Sequence, residues 1–127
     1  MSKEVVFTEN APKAVGPYVQ AVSSNGVLYC SGQLGINPIE GKIVDGIEAQ
    51  THASMKNIGA ILTQAGISYS SILKTTIFLT DMDDFAVVNK IYESYFGGIY
   101  PARSCIQVAK LPLGGLVEIE CIAELIK

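Results

Sequence analysis

The chain has 127 residues, of which 49% are apolar and 17% charged, with a formal net charge of −3. This length fits a single domain over residues 1–127, and the composition excludes a disordered chain. The acidic balance and the lack of a Lys/Arg run argue against nucleic acid as the main ligand. The low share of charged residues favours a homo-oligomer that hides part of its surface.

Three cysteines and one histidine limit the redox and metal chemistry of the chain. Cys30, Cys105 and Cys121 are odd in number and show no Cys-x-x-Cys spacing, which indicates free thiols in a reducing compartment. His52 has no partner at metal-ligand spacing, so we expect no metal site. No apolar segment reaches signal-peptide or membrane-span length, and we therefore expect a cytoplasmic protein with no membrane partner.

The first predicted elements are strands. A short strand is expected at residues 5–7, and two further strands are expected at residues 19–24 and 27–31. The last two are separated by Asn25-Gly26, a dipeptide that accepts the positive φ angles of a two-residue type I′ turn. The sequence therefore predicts a β-hairpin near the N-terminus.

A turn-rich segment and a helix follow the hairpin. Residues 32–46 contain many turn residues, and a short edge strand is expected near residues 42–44. Asp45 and Glu48 have the spacing of a capping box, which predicts a helix that begins after Asp45 and ends before Gly66. The apolar stripe expected to face the core consists of Met55, Ile58, Ile61, Leu62 and Ala65.

The C-terminal half alternates strand and helix. A buried strand is predicted at residues 72–79, and a second helix, capped by Thr80-Asp81, is expected over residues 83–96. Two more strands follow. The order of elements predicts an α+β fold, in which two helices cover one face of a single mixed sheet. Because the other face has no cover, we expect self-association.

Charged and reactive residues lie within the two predicted C-terminal strands. Strand alternation places Arg103, Cys105 and Gln107 on one face of the first, and Glu118 and Glu120 on the polar face of the second. An arginine fork suits a planar carboxylate, and a glutamate can hold or activate water. The pattern indicates either chemistry on a small carboxylated molecule or an Arg–Glu ion pair on a solvated sheet face.

Six short motifs carry a resemblance to a known family. They are Gly16-Pro17-Tyr18-Val19-Gln20, Ser31-Gly32-Gln33, Lys74-Thr75-Thr76-Ile77-Phe78-Leu79, Asp84-Phe85-Ala86-Val87-Val88-Asn89, Pro101-Ala102-Arg103-Ser104-Cys105 and Val117-Glu118-Ile119-Glu120. In this order and spacing they resemble the RidA family, also called YjgF/YER057c/UK114, over essentially the whole chain. The Pro-Ala-Arg-Ser-Cys block together with the Glu-Ile-Glu strand is the most specific part.

The resemblance implies a fold similar to bacterial chorismate mutase, assembled as a homotrimer with clefts between subunits. It also implies an enzyme that hydrolyses 2-iminobutanoate and 2-iminopropanoate, with their enamine tautomers, to 2-oxo acids and ammonia. Such intermediates are released by pyridoxal-phosphate enzymes, for example threonine or serine dehydratase. The expected small-molecule partners are 2-imino and 2-oxo acids, and neither a cofactor nor a metal is expected.

The resemblance suggests roles for several side chains. Arg103 is expected to bind the substrate carboxylate through two parallel hydrogen bonds. Glu118 is expected to position water or transfer protons, with Glu120 as the backup, although a cross-strand charge partner is the other interpretation. Tyr18 follows a Gly-Pro turn and either hydrogen-bonds substrate or water or is an ordinary half-buried aromatic residue.

Backbone groups of Ser31, Gly32 and Cys105 are further expected substrate contacts. The Cys105 thiol is disfavoured as a nucleophile, because the sequence supplies no base beside it and the lone His52 lies in the first predicted helix. Asn89 lies either near the cleft, as the family pattern places it, or on a helix surface.

Two departures from the family pattern concern the rim of the expected cleft. The link over residues 97–100 is short, and Leu111-Pro112-Leu113-Gly114-Gly115 lacks the charged residues often found there, so both bear on the substrate range. Two alternative functions stay open. One is a non-catalytic module that binds 2-oxo acids and signals to a partner, and the other is a ribonuclease or translation inhibitor, which the acidic composition disfavours.

Overall fold

The computed structural model describes residues 3–125, and this part of the chain forms a six-stranded main sheet, a separate two-stranded sheet and two α-helices. The predicted α+β arrangement of one main sheet with two helices is confirmed. In chain order the elements are β1 (Glu4–Val6), β2 (Ala21–Ser24), β3 (Val27–Leu34), β4 (Ile36–Asn37), β5 (Lys42–Ile43), α1 (Ile47–Gln64), β6 (Ile72–Leu79), α2 (Phe85–Glu93), β7 (Ala102–Gln107) and β8 (Val117–Glu124).

The main sheet is mixed, and its strand order is β1-β2-β3-β8-β6-β7. All of its neighbouring strands are antiparallel except β6 and β7, which run parallel. A parallel pair needs a crossover connection, and α2 supplies it. Strand β7 is the last strand in this order and therefore lies at one edge of the sheet, whereas β8 lies inside it. The small sheet of β4 and β5 contains the edge strand expected near residues 42–44.

The first hairpin forms as its turn dipeptide predicts. Asn25 and Gly26 both have positive φ, at 52° and 77°, and Ser24 pairs with Val27 across the turn. Strand β3 continues beyond its predicted end, with an irregular register between Cys30 and the residues that follow it. This β-bulge places an extra residue in β3 opposite β8.

Helix α1 ends as predicted but does not begin as predicted. Its C-terminal stop is Gly66, with φ at 80°, whereas its N-cap residue is Gly46, with φ at 88° and no side-chain cap hydrogen bond. The expected capping box of Asp45 and Glu48 is therefore wrong. Asp45 precedes the N-cap position by one residue, so its carboxylate does not take the place of a capping side chain.

Helix α2 is shorter than predicted at both ends. A 3₁₀ turn over Met82–Asp84 precedes it, and the Asp81 carboxylate accepts a hydrogen bond from the Asp83 N–H at 2.9 Å. After α2 the backbone continues through i→i+3 hydrogen bonds, which include those donated by the N–H groups of Tyr95 and Phe96. Both rings lie close to the Tyr69 ring, with centroid distances of 5.4 Å for Tyr95 and 6.2 Å for Phe96.

The two faces of the main sheet differ in their cover. One face packs against the helices, where the fully buried side chains of α1 meet those of β3, β6 and β8. On the other face, Val5 is 60% exposed, Tyr29 48% and Ile106 47%. An uncovered apolar face was predicted, and it is present in the single chain. Within residues 3–125, neither helix is long and apolar enough to cross a membrane.

Candidate functional site

Arg103, the only arginine in the sequence, lies on β7 and faces the helices. Thr75 pairs with Arg103 on one side and with Cys121 on the other, so these three side chains share the helix-covered face of the sheet. The guanidinium Nη1 donates a hydrogen bond of 2.6 Å to Oδ1 of Asn89 on α2. Asn89 was expected either near the cleft or on a helix surface, and the structure places its side chain beside Arg103.

Two aromatic rings flank the guanidinium. Its central carbon lies 5.5 Å from the centroid of the Phe85 ring and 5.2 Å from that of the Tyr92 ring, distances at which a cation is attracted to the ring face. Tyr92 is buried, and its hydroxyl group forms a 2.7 Å hydrogen bond with Oγ1 of Thr75. The Arg103 side chain is therefore oriented by an amide oxygen and by two rings, one of which is itself anchored.

A cavity of about 420 Å³ opens beside this arginine. Among the residues that the structure describes, the guanidinium donates one side-chain hydrogen bond, to Asn89. Its other N–H groups are therefore available to bind a planar anion. This arrangement is suited to binding a small carboxylate. The cavity is lined by Asn89, Tyr92, Glu93, Tyr100, Pro101 and Arg103.

Cys105 lies two residues beyond Arg103 on the same face of β7. Burial raises the pKa of its thiol, and the charge of Arg103 only partly opposes this effect, so the thiol stays protonated at neutral pH and is a poor nucleophile. The backbone N–H of Cys105 points away from β6. Val108 donates its N–H to Leu79 of β6, and since successive N–H groups alternate along a strand, the Cys105 N–H points to the open sheet edge.

Tyr18, Gly32 and Glu118 line a second cavity, of about 220 Å³. Glu118 comes from β8, and Gly32 comes from the bulge of β3. A Cβ atom added to Gly32 would lie 2.8 Å from Cδ of Glu118, so the glycine allows the carboxylate to lie against the backbone of β3. Tyr18 is half exposed, and its ring contributes to the wall of the same cavity.

The environment of Glu118 favours its protonated form. The side chain is half-buried, and desolvation raises the pKa of its carboxyl group, with a further increase from the negative charge of Glu120. The two carboxylates lie two residues apart on the same face of β8. A carboxyl group with a raised pKa exchanges protons at a pH closer to neutrality, which is useful for general acid–base chemistry.

Ser31 and Gln20 hold the backbone near Tyr18. Ser31 donates its N–H to the Gln20 carbonyl at 2.9 Å and its hydroxyl to the Val19 carbonyl at 2.6 Å, so both of its donors are used within the chain. The buried Gln20 amide accepts from the Thr8 N–H at 2.8 Å and donates to the Pro12 carbonyl at 2.9 Å. Gln20 belongs to one of the recognised motifs, but the sequence did not indicate this anchoring role.

The expected site residues thus form two groups on opposite faces of the sheet. Arg103 shares a face with Thr75, whereas Phe78 pairs with both Glu118 and Ile106 on the uncovered face. Strand alternation separates the two faces. The interpretation of Arg103 and Glu118 as an ion pair on one sheet face is therefore wrong for a single chain, and Arg103 is instead bound to Asn89.

Comparisons with known proteins agree with this architecture. The family model described as "Endoribonuclease L-PSP" matches residues 8–125. Reactive Intermediate Deaminase A, chloroplastic, of Arabidopsis thaliana is 52% identical over 126 residues, which cover 98% of this chain and 67% of the relative. The 2-iminobutanoate/2-iminopropanoate deaminase of Mus musculus is 47% identical over 122 residues, covering 95% of this chain and 90% of the relative.

A solved structure gives the same result for the fold. The crystal structure of YyfA from Yersinia pestis, described as a protein of unknown function of the conserved Rid protein family, matches with a TM-score of 0.95 and 53% sequence identity. The match covers 97% of this chain and 99% of that one. Similarity in sequence and in fold therefore extends over nearly the whole chain, and the chain belongs to the RidA (YjgF/YER057c/UK114) family.

Proposed function

We propose that this protein is a 2-iminobutanoate/2-iminopropanoate deaminase. In the reaction, water adds to the C=N carbon of the 2-imino acid, and a proton moves to the nitrogen. The resulting carbinolamine then loses its C–N bond, which gives the 2-oxo acid and ammonia. The names of the plant and mouse relatives support this activity, and the hydrolysis needs only water, proton transfer and a fixed substrate.

The observation that carries the proposal is the oriented guanidinium of Arg103. It faces an open cavity, and its hydrogen-bond partner on α2 is the neutral amide of Asn89. A neutral partner leaves the positive charge free to pair with an incoming carboxylate. Arg103 would hold the substrate carboxylate in a bidentate geometry, and the outward N–H of Cys105 would add a contact at the sheet edge.

Glu118 is the proposed acid–base group. In its ionised form it would take a proton from the attacking water, and the same carboxyl group would then protonate the departing nitrogen. Tyr18, which lines the same cavity, would hydrogen-bond the water or the substrate. The raised pKa of Glu118 supports this role. A glutamate with a raised pKa is a stronger base when it is ionised, and it holds its proton closer to neutral pH, where it can act as the acid.

We infer that a homotrimer completes the site. Arg103 and Glu118 lie on opposite faces of the sheet within one chain, so one substrate cannot contact both in a single copy. A cleft between copies would bring Arg103 of one chain to Glu118 of its neighbour. The uncovered apolar face supports this assembly, and free cysteines at positions 30, 105 and 121 agree with a reducing compartment such as the cytoplasm.

The test couples the purified protein to threonine dehydratase in the presence of semicarbazide, which traps the free imine. Wild-type protein should speed release of the 2-oxo acid and reduce trapping. Arg103→Ala should lower kcat/KM by about 100-fold or more, and Arg103→Lys should remain strongly impaired because an ammonium group cannot form the fork. Lys110→Ala, an exposed change outside both cavities, is the control. Wild-type activity in Arg103→Ala would contradict the site.

Chemical modification offers an independent check. Because Arg103 is the only arginine in the sequence, an arginine-selective dicarbonyl reagent should inactivate the protein by modifying this side chain alone, and 2-oxobutanoate should protect it. Carboxylate binding that requires Arg103 without any turnover would favour the metabolite-binding module instead. RNA cleavage that disappears in Arg103→Ala would favour the ribonuclease.

A further inference from the structure

Leu113 has an unusual backbone conformation. Its φ and ψ angles are 58° and 23°, and within residues 3–125 the other non-glycine residue with positive φ is Asn25 in the hairpin turn. Asparagine tolerates the left-handed region, whereas a bulky leucine is a rare occupant of it. A residue in such a conformation persists only where the surrounding structure imposes it, and such residues are often found at functional sites.

The loop around Leu113 is fixed from both sides. The buried Gln50 of α1 accepts a 2.8 Å hydrogen bond from the Leu116 N–H, and the Gly115 N–H donates to the Pro112 carbonyl at 3.0 Å. Gly115 is also buried. These hydrogen bonds keep the Leu113 backbone in the left-handed conformation. The direction of its side chain is therefore fixed.

The Leu113 side chain projects beside the proposed acid–base group. It is 68% exposed, yet it lines the same cavity as Tyr18 and Glu118. This cavity has a polar part, formed by Tyr18 and Glu118 together with Lys13, Gln20 and Gln33, and an apolar wall. The other apolar residues of the wall are Pro12, Val15, Leu34, Ile36 and Pro112.

We infer that Leu113 determines substrate specificity by providing an apolar contact for the side chain of the 2-imino acid. This inference rests on the proposed deaminase function. If Arg103 of a neighbouring copy holds the carboxylate and Glu118 serves the imine carbon, the group that remains is the substrate side chain. The wall that contains Leu113 then favours aliphatic side chains over polar ones, and longer aliphatic chains over a methyl group.

The test measures kcat/KM for imines that an amino-acid oxidase forms from alanine, 2-aminobutanoate, norvaline and serine. The first three differ by single methylene groups, and 2-aminobutanoate and serine differ by a methyl-for-hydroxyl exchange. Wild-type protein should improve roughly two- to fourfold with each methylene and should favour the ethyl over the hydroxymethyl side chain. Leu113→Gly should reduce the gain per methylene to less than about twofold, mainly through KM.

Leu113→Asn is the matched variant, because asparagine has a similar size and tolerates positive φ. It should narrow the preference for the ethyl over the hydroxymethyl side chain. Both variants should unfold at the wild-type temperature or higher, since each suits the backbone better than leucine does. An unchanged substrate profile in both variants, or an equal loss for every substrate, would overturn the inference while the deaminase function stands. No turnover by the wild-type protein would overturn both.

Discussion

At the scale of single residues, uncharged partners orient the proposed carboxylate anchor, and Glu93 is the acidic residue that lines the same cavity. Arg103 contacts the amide of Asn89 and the rings of Phe85 and Tyr92. A carboxylate in place of Asn89 would compete with the substrate for the same fork, whereas an amide oxygen and two rings orient it without neutralising it.

Glu118 places activity and stability in opposition. Desolvation raises the pKa of its carboxyl group above the ordinary value of 4.5, so the folded chain binds this proton more tightly than the unfolded chain does. The stability that the folded chain gains by binding this proton is fully present below about pH 4.5, and it is lost as the pH rises through the pKa of Glu118 in the folded chain. At neutral pH the ionised group therefore destabilises the fold.

We predict that Glu118→Gln increases the free energy of unfolding at neutral pH, because glutamine carries no charge to desolvate. The difference from the wild type should shrink as the pH falls towards about 4.5. Urea unfolding across this pH range measures the effect. The same variant should lose about 100-fold or more in kcat, since the acid–base group is gone. A variant that is less stable than the wild type at neutral pH would contradict the account.

The control for this prediction is Glu120→Gln. Glu120 is exposed, and its charge contributes to the raised pKa of Glu118. Removing that charge should move the acidic limb of the kcat/KM profile to lower pH while leaving the variant active. An acidic limb that does not move would argue that another group controls the profile.

At the scale of elements, the start of α1 depends on backbone conformation instead of a capping side chain. Gly46 occupies the N-cap position with φ at 88° and ψ at 156°, a combination that is essentially restricted to glycine. Its position after Asp45 displaces the carboxylate from the place that a capping residue would have. The first turn nevertheless contains Glu48, which has a favourable charge for a helix N-terminus.

We predict that Gly46→Ala destabilises the protein by about 1–3 kcal/mol, because alanine is strained at this φ. Asp45→Ala should change the stability by less than about 0.5 kcal/mol, since Asp45 makes no cap. Both values can be measured by denaturant unfolding of the purified variants. A loss of about 1 kcal/mol in Asp45→Ala would instead indicate that Asp45 does cap α1 in solution.

The bulge in β3 is the element that shapes the Glu118 cavity. It interrupts the pairing of β3 with β8 after Cys30 and places Gly32 against the Glu118 carboxyl group. Bulges often occur next to active sites because they redirect the chain locally. Here the bulge and the absent side chain of glycine together give the carboxylate its position beside the backbone.

At the scale of the whole molecule, the sheet separates the two halves of the proposed site. The arginine half lies at the β7 edge on the helix-covered face, and the glutamate half lies on the uncovered face. A closed assembly of identical copies would supply both halves at every interface, since each copy contributes one half to each neighbour. Assembly and catalysis would then depend on the same surface.

We predict that inactive variants restore activity to each other. Arg103→Ala supplies an intact Glu118, and Glu118→Gln supplies an intact Arg103, so an equal mixture refolded together should recover about a quarter of the wild-type activity in a trimer. Mixing without subunit exchange is the control, and light scattering reports the oligomeric state. Failure of co-refolded trimers to gain activity would contradict a site shared between chains.

Local sequence patterns determined several elements of this protein. The Asn25-Gly26 turn, the stop at Gly66 and the limits of β6 depend on residue preferences within a few positions, and all three form as predicted. The same reasoning misplaced the start of α1, where Gly46 and not Asp45 takes the N-cap position. It also misplaced the end of α2, because i→i+3 hydrogen bonds replace the α-helical ones after Glu93.

The sequence motifs identified the residues of the candidate site, but the arrangement of these residues in space depends on the tertiary structure. Strand alternation can be read from the sequence, whereas the face that the helices cover depends on the sheet order and on the α2 crossover. The contact of Arg103 with Asn89 and that of Glu118 with Gly32 join segments far apart in the chain. Such contacts are decided by packing, because side chains distant in sequence meet only after the sheet has formed.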